Sequence, residues 1–299
     1  MPQIPHEVHT LGIVLHPHRD SAKAVDTILG WASERGITVV GLAEEVSRLG
    51  CAAVGVTAEE MADRVDLLVG LGGDGTVLRS MRLSDRHHTP VLGVNLGKLG
   101  FLAEVDVTEL ASALTAIGER RYQTEPRAAL DAAVGTRRFT AFNDVALVRQ
   151  PGEGIAAIGL ILEGHHFVDY LADAVIVATP TGSTAYNFSA GGPIVAPSIA
   201  GILVTPSSSH SVFNRSILVD HTHSLQLRIL ESSGALAVEV DGRVAAHVAP
   251  GDGVSVTSRP DAAQMVRFDR ATFYQRARRK LGITGPMELG PVTASTTEV

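Results

Sequence analysis

Cysteine occurs once in this 299-residue chain, at Cys51, so no disulfide can form within it. That usage fits a reducing compartment, and Cys51 itself is expected to be a small core hydrophobe. Aromatic residues are scarce at 4%, so the core must be built from Ala, Val, Leu and Ile. This favours packed helices and strands over an aromatic-rich barrel. No apolar run approaches the roughly twenty residues of a membrane span. The start, Met1-Pro2-Gln3-Ile4-Pro5-His6, lacks the basic-then-apolar pattern of a secretory leader. An excess of positive charge is also missing: the net charge of −7 speaks against a general nucleic-acid binder. The expectation is a cytoplasmic protein with neither membrane nor nucleic acid as partner.

What the chain does have is 45% hydrophobic residues, enough for one large domain or two ordinary ones. Its organising stretch runs from Val65 to Met81. There an apolar run, Val65-Asp66-Leu67-Leu68-Val69, meets Gly70-Leu71-Gly72-Gly73-Asp74-Gly75-Thr76, and a helical pattern follows. That order reads as strand, tight turn and helix start. Gly72, Gly73, Gly75 and Thr76 would offer backbone N–H groups to phosphate at the positive end of the helix. Asp74 is out of place among them, because a carboxylate repels phosphate. It makes sense if a cation intervenes or if it faces a hydroxyl that must lose a proton, and both point to phosphoryl transfer. The helix N-terminus favours its ionised form.

Gly70, Gly72 and Gly75 also match the dinucleotide pattern G-x-G-x-x-G. The acidic residue that pattern wants about twenty positions on is missing, since the strand Val91–Val94 ends in Asn95. No Lys followed by Ser or Thr closes the glycine run, which rules out a Walker loop.

Strand and helix alternate through the first part of the chain. Strands are predicted at Leu11–Leu15, Ile37–Leu42 and Val91–Val94, with helices at Ala22–Ser33 and Leu110–Ile117, the latter opened by an Asp106/Glu109 capping box. Short alternation of this kind implies an open parallel sheet, which binds ligands beyond the carboxyl ends of its strands. Val94 leads into a second glycine loop, Asn95-Leu96-Gly97-Lys98-Leu99-Gly100-Phe101-Leu102.

From about Ala128 the pattern becomes strand-like. Strands are predicted at Ala141–Val148, Ile155–Leu162, Ala174–Ala178, Ser216–Val219, Ser224–Ile229, Leu236–Val240 and Val254–Ser258. Glu163-Gly164-His165 and Asp241-Gly242-Arg243 read as hairpin turns. Phe273–Leu281 returns to helix, and its cluster Arg276, Arg278, Arg279 and Lys280 reads as a solvated helix end. The predicted units are an α/β unit over 1–125, joined by a last helix over 268–284, and a β-rich unit over 126–267. A polar tail at 285–299 is expected to be mobile.

Two constellations in the β-rich half carry chemistry. Asp173–Ala178 runs into Thr179-Pro180-Thr181-Gly182-Ser183-Thr184-Ala185-Tyr186-Asn187-Phe188-Ser189, dense in hydroxyls and glycine. Such a loop suits ribose and amide edges, with Tyr186 able to stack on a base, while Ser183 or Thr184 could cap a helix. A ligand-free Ser/Thr-rich turn accounts for the same residues. Asn143-Asp144 is a polar pair inside an apolar strand run, either gripping adjacent hydroxyls or marking a bulge. The pairs His87-His88 and His165-His166 lack the spacing of a zinc site.

Taken in order, Gly72-Gly73-Asp74-Gly75-Thr76, Asn95-x-Gly97-x-Leu99-Gly100-Phe101-Leu102, Asn143-Asp144, Thr179–Tyr186 and Ser189-Ala190-Gly191-Gly192-Pro193 resemble the motif series of NAD kinases, over about Leu11 to Leu281. The glycine–aspartate motif is shared with lipid and sugar kinases; the threonine–glycine–serine motif is more particular. The resemblance implies a Rossmann-like α/β unit, a sandwich-like β-rich unit and a last helix returning to the first unit. It also implies phosphoryl transfer from ATP or polyphosphate to the adenosine ribose 2′-hydroxyl of NAD, with Mg²⁺ accompanying ATP. Asp74 would be the base and Gly75 and Arg79 would line its site. Asn143, Asp144, Asp173, Thr184, Ala185, Tyr186, Asn187, Phe188, Ser189 and Arg243 would hold NAD, and a homodimer or homotetramer is implied. Asp144 stands where the family usually has Glu, and Leu171 where some members have a basic residue. A lipid kinase and a non-catalytic dinucleotide sensor are the alternatives.

Overall fold

The computed structural model describes residues 7–97, 100–268 and 272–283. Strand and helix alternate first: β1 (Thr10–Leu15), α1 (Ala22–Ser33), β2 (Thr38–Leu42), α2 (Ala43–Leu49), β3 (Val54–Val56), α3 (Ala58–Arg64), β4 (Leu67–Gly72), α4 (Asp74–Ser84) and β5 (Pro90–Asn95). The strands pair in parallel in the order β3-β2-β1-β4-β5. All of β4 and all but the first residue of β1 are buried, as strands covered on both faces must be. One face packs Ile28 and Trp31 of α1 over Leu11, Ile13 and Val69. The other packs Met61 of α3 and Val77 and Met81 of α4 over Val14 and Leu68.

Next come β6 (Val105–Asp106) and α5 (Leu110–Gly118). The expected capping box is present, Asp106 with Glu109, and a single 3-10 turn precedes the helix proper. The β-rich half follows: β7 (Gln123–Val134), β8 (Arg137–Ala141), β9 (Asp144–Arg149), β10 (Ala156–Leu162), β11 (His165–Ala172), β12 (Ala174–Ala178), the one-turn helix α6 (Tyr186–Ser189), β13 (Gly201–Ser207), β14 (Ile217–Asp220), β15 (Leu225–Ile229), β16 (Leu236–Val240), β17 (Arg243–Val248) and β18 (Gly253–Arg267). Six of these form an antiparallel sheet, β14-β13-β12-β9-β16-β17. Its inner face, through Val145, Val175 and Val238, shares a core with Leu130, Leu160 and Leu227 of the layer opposite. Both hairpin turns form as expected, with positive φ at Glu163-Gly164 and at Asp241-Gly242. α7 (Phe273–Leu281) closes the described chain behind a Thr272/Gln275 capping box.

Three local expectations need correction. The run Ala141–Val148 is not one strand: it breaks at Phe142-Asn143, between β8 and β9. Val254–Ser258 is only the start of β18, which is 15 residues long. After a register shift between Arg259 and Ala263, β18 leaves β15 and pairs in parallel with β5, so one sheet runs through both halves. Arg276 is not solvated. It is nearly buried against Glu104 and Glu125, at 3.8 and 4.0 Å, which brings α7 back to the first unit. The tail 285–299, with Lys98 and Leu99 of the second glycine loop, lies outside the described residues.

Candidate active site

At the carboxyl ends of β1 and β4 lies a cleft of about 360 Å³. Gly73, Asp74, Gly75 and Thr76 form one wall, at the N-terminus of α4, for which Gly73 is the cap. The second glycine loop folds over this turn and holds the carboxylate. Phe101 N donates to Asp74 Oδ2 and Leu102 N to Oδ1, both at 3.0 Å. A Cβ on Gly100 would overlap that carboxylate, so only glycine permits the approach. Asn95 braces the loop from below, its Nδ2 donating to Gly97 O at 2.6 Å and Asp106 Oδ1 at 2.7 Å.

The other walls are cationic. Arg79, further along α4, donates to Leu15 O at 2.6 Å and pairs with Glu45 at 2.5 Å, which commits much of its guanidinium to structure. Arg19 and His16 come from the loop after β1, and Arg243 comes from the far half, just past the Asp241-Gly242 turn. His16 Nδ1 accepts from His18 N and Arg19 N, each at 3.1 Å, so in the neutral ring the proton belongs on Nε2. Burial, followed by the charges of Arg19, His18, Arg79 and Arg48, keeps its pKa below the usual histidine value. A cleft with three arginines around one carboxylate attracts phosphate, although the chain as a whole is acidic. Sequence reasoning misses His16 and Arg19 as site residues. Their only signal is their place directly after a parallel strand.

The second constellation gathers around the break in the strand run. Asn143 sits in the bend and Asp144 opens β9, with Asp144 buried to 3% exposure. Burial, then the charges of Asp241 and Glu239, push the Asp144 carboxyl up to about 7, against a hydrogen bond from the Tyr186 backbone. The hydroxyl-rich loop docks on this bend. Thr179 N donates to Asn143 O at 2.9 Å, and Thr179 Oγ1 donates to Phe142 O at 2.6 Å. A Cβ on Gly182 would collide with the Asn143 carbonyl. Tyr186 lies in the same neighbourhood: burial and the charges of Glu239, Asp144 and Asp173 raise its phenol pKa. Asp173 pairs with Arg149 at 2.5 Å and is half exposed.

Within the loop, Thr184, Ala185 and Tyr186 are half-buried, and Phe188 and Ser189 are exposed. Asn187 is fully buried and its amide is spent internally, donating to Ser183 O and Pro193 O and accepting from Thr205 Oγ1. Neither Ser183 nor Thr184 caps a helix. Ser183 Oγ instead donates to Val195 O and accepts from Val195 N, pinning the loop's two ends together. The residue joining the two constellations, Asp241, is visible in the sequence only as part of a turn. Its carboxylate accepts from Arg82 Nη2 of α4 at 2.6 Å and from three backbone N–H groups of the bend.

A glycine–aspartate turn in a cationic cleft, tied through Asp241 to a bend on which a hydroxyl-rich loop docks, defines a nucleotide phosphotransferase. Known proteins agree. Residues 11–122 match the ATP-NAD kinase N-terminal domain and residues 142–268 the ATP-NAD kinase C-terminal domain, and the chain belongs to the NAD kinase family. It is 34% identical to NAD kinase 1 of Streptomyces avermitilis, over 93% of this chain and 88% of that one. It is 35% identical to the NAD kinase of Heliobacterium modesticaldum, over 91% and 98%. Among solved structures it resembles yeast NADH kinase complexed with NADH, with a TM-score of 0.86, 26% identity and coverage of 96% and 91%. The NAD kinase of Archaeoglobus fulgidus in complex with ATP shares the fold, with a TM-score of 0.67, 21% identity and coverage of 91% and 97%. The lipid-kinase and sensor alternatives find no support in these likenesses.

Proposed function

We propose that the protein transfers a phosphoryl group from ATP or polyphosphate to the 2′-hydroxyl of the adenosine ribose of NAD. The observation that carries this is Asp74, a carboxylate oriented by two backbone N–H groups in a cleft lined by Arg19, Arg79 and Arg243. In this reading Asp74 accepts the 2′-hydroxyl proton as the new P–O bond forms and the donor's bridging P–O bond breaks. The N–H groups of the Gly72-Gly73-Asp74-Gly75 turn and the arginines hold the phosphates, while Thr76 N is committed to Gly73 O at 2.9 Å. Asn143, Asp144, Asp173, Arg243 and the loop Thr184–Ser189 hold NAD, with Asn187 shaping the loop from behind. The α/β unit (1–125 with 268–284) contributes the base and the β-rich unit (126–267) the acceptor pocket.

Mg²⁺ would neutralise donor charge. In this reading the ion is carried on the donor's phosphates, with the Asp74 carboxylate the side chain of the glycine turn placed to reach it. No helix among the described residues is long and apolar enough to cross a membrane. A cytoplasmic homodimer or homotetramer completes the reading.

The test is incubation with NAD, ATP and Mg²⁺, reading NADP through a coupled dehydrogenase. Product from the wild type and almost none from Asp74→Asn is expected, with NAD binding retained by the variant. No NADP, with polyphosphate and NADH also tried, would overturn the reading.

A further inference from the structure

We propose that Asp241 is a positioning residue, whose buried carboxylate holds the acceptor-binding bend in register with the helix that carries Asp74. The inference rests on the proposed function, in which Asp74 is the base and Asn143 and Asp144 hold NAD.

The Asp241 side chain is wholly buried and one carboxylate takes four donors from two parts of the fold. Oδ1 accepts from Asn143 N at 2.7 Å and Asp144 N at 3.1 Å; Oδ2 accepts from Phe142 N at 3.1 Å and Arg82 Nη2 at 2.6 Å. The Asp241 N–H returns a bond to Asp144 O at 2.9 Å. Three consecutive N–H groups left by the break between β8 and β9 would be costly to bury unpaired, and this carboxylate satisfies all three. Arg82 lies eight residues along α4 from Asp74, about 12 Å at the rise of an α-helix. Two residues beyond Asp241, Arg243 enters the Asp74 cleft. One side chain therefore touches the bend and the catalytic helix, and its own hairpin delivers a cleft cation. A second clamp on the same end of α4, Asp85 with Arg259 at 2.7 and 3.1 Å, does not touch the bend and serves as a control.

The experiment compares Asp241→Asn, Arg82→Gln and Asp85→Asn in steady-state kinetics and in calorimetric titration with NAD. Asp241→Asn turns an amide N–H₂ toward existing donors, so NAD Kd and KM should rise about tenfold or more while the KM for ATP stays within twofold. The charged groups acting on Asp144 are Asp241 and Glu239, with Arg82 beyond Asp241. Removing the Asp241 charge should therefore move the acid limb of kcat/KM for NAD to lower pH. Arg82→Gln keeps the bend and loses the helix, so it should lower kcat about tenfold with NAD KM changed less than threefold. Asp85→Asn should lower the melting temperature and leave NAD KM unchanged.

NAD Kd within twofold of wild type in Asp241→Asn, or the same KM rise in Asp85→Asn, would overturn the proposal. Should Asp241→Asn fail to fold, Arg82→Gln with wild-type kcat overturns it instead. A wild type that binds NAD but makes no NADP would sink the kinase reading alone, because the Kd comparison still tests Asp241.

Discussion

Gly100 shows how much depends on a single missing carbon. Phe101 and Leu102 reach the Asp74 carboxylate only because Gly100 has no side chain to stand in the way. Gly100→Ala should displace the carboxylate and lower kcat on the order of 10²-fold with the fold retained, approaching the loss expected for Asp74→Asn. Circular dichroism and NADP formation check both halves of that statement. Asp144 carries the pH dependence. Its folded pKa is raised from 3.8 to about 7, so the stability it contributes is fully present below about 4 and is lost as pH rises through about 7. The difference is on the order of 4 kcal/mol. Denaturant midpoints should fall across that window in the wild type and flatten in Asp144→Asn. In catalysis, kcat/KM for NAD should show an acid limb near pH 7 that the same variant lacks.

At the scale of elements, the informative pieces are a turn, a bend and a loop. The turn before α4 is legible because few structures other than a strand-to-helix turn place glycines and one aspartate between an apolar run and a helical pattern. The bend at Phe142-Asn143 is legible only as an anomaly, a polar pair where a strand should continue. What it does is set by partners about a hundred residues away at Asp241 and some forty away at Thr179 and Gly182. Gly182→Ala should force the loop off the Asn143 carbonyl, costing about 1–3 kcal/mol in denaturant unfolding and weakening NAD binding. Asn187 reads in sequence like a ligand contact, but its amide is spent on Ser183 O of the loop and on Thr205 Oγ1 of β13. Hydrogen-bond capacity is visible in a sequence; where it is spent is not.

Across the whole molecule, β18 and α7 tie the halves together. The Glu104 side chain is nearly buried. It accepts from Arg267 Nη1 at 2.9 Å and from Phe268 N at 3.0 Å, with Arg276 of α7 at 3.8 Å. Glu125 joins from β7. Burial alone would raise its pKa, but Arg127 and Arg267 pull it down to about 2. Glu104→Gln leaves Arg267 with Glu125 as its remaining counter-charge, at 2.8 Å, and should cost about 1–3 kcal/mol, read as a lower melting temperature. Hydrogen exchange should show α7 opening before the parallel sheet.

The sequence by itself determined the local grammar of this protein. The 3.6- and 2-residue periods, the capping boxes, the hairpin turns and the order of glycine-rich motifs follow from backbone sterics and side-chain chemistry within a few residues. They sufficed to place Asp74 at a helix start and to suggest the reaction. Only the tertiary structure decided that the second glycine loop grips Asp74, that His16 and Arg19 reach the cleft, and that β18 carries one sheet through both halves. It alone decided that Arg276 is buried and that Asp241 holds the bend against α4. Those contacts join residues tens to well over a hundred positions apart. No local propensity encodes them, because their energy comes from burial and charge pairing that exist only once the chain has closed on itself.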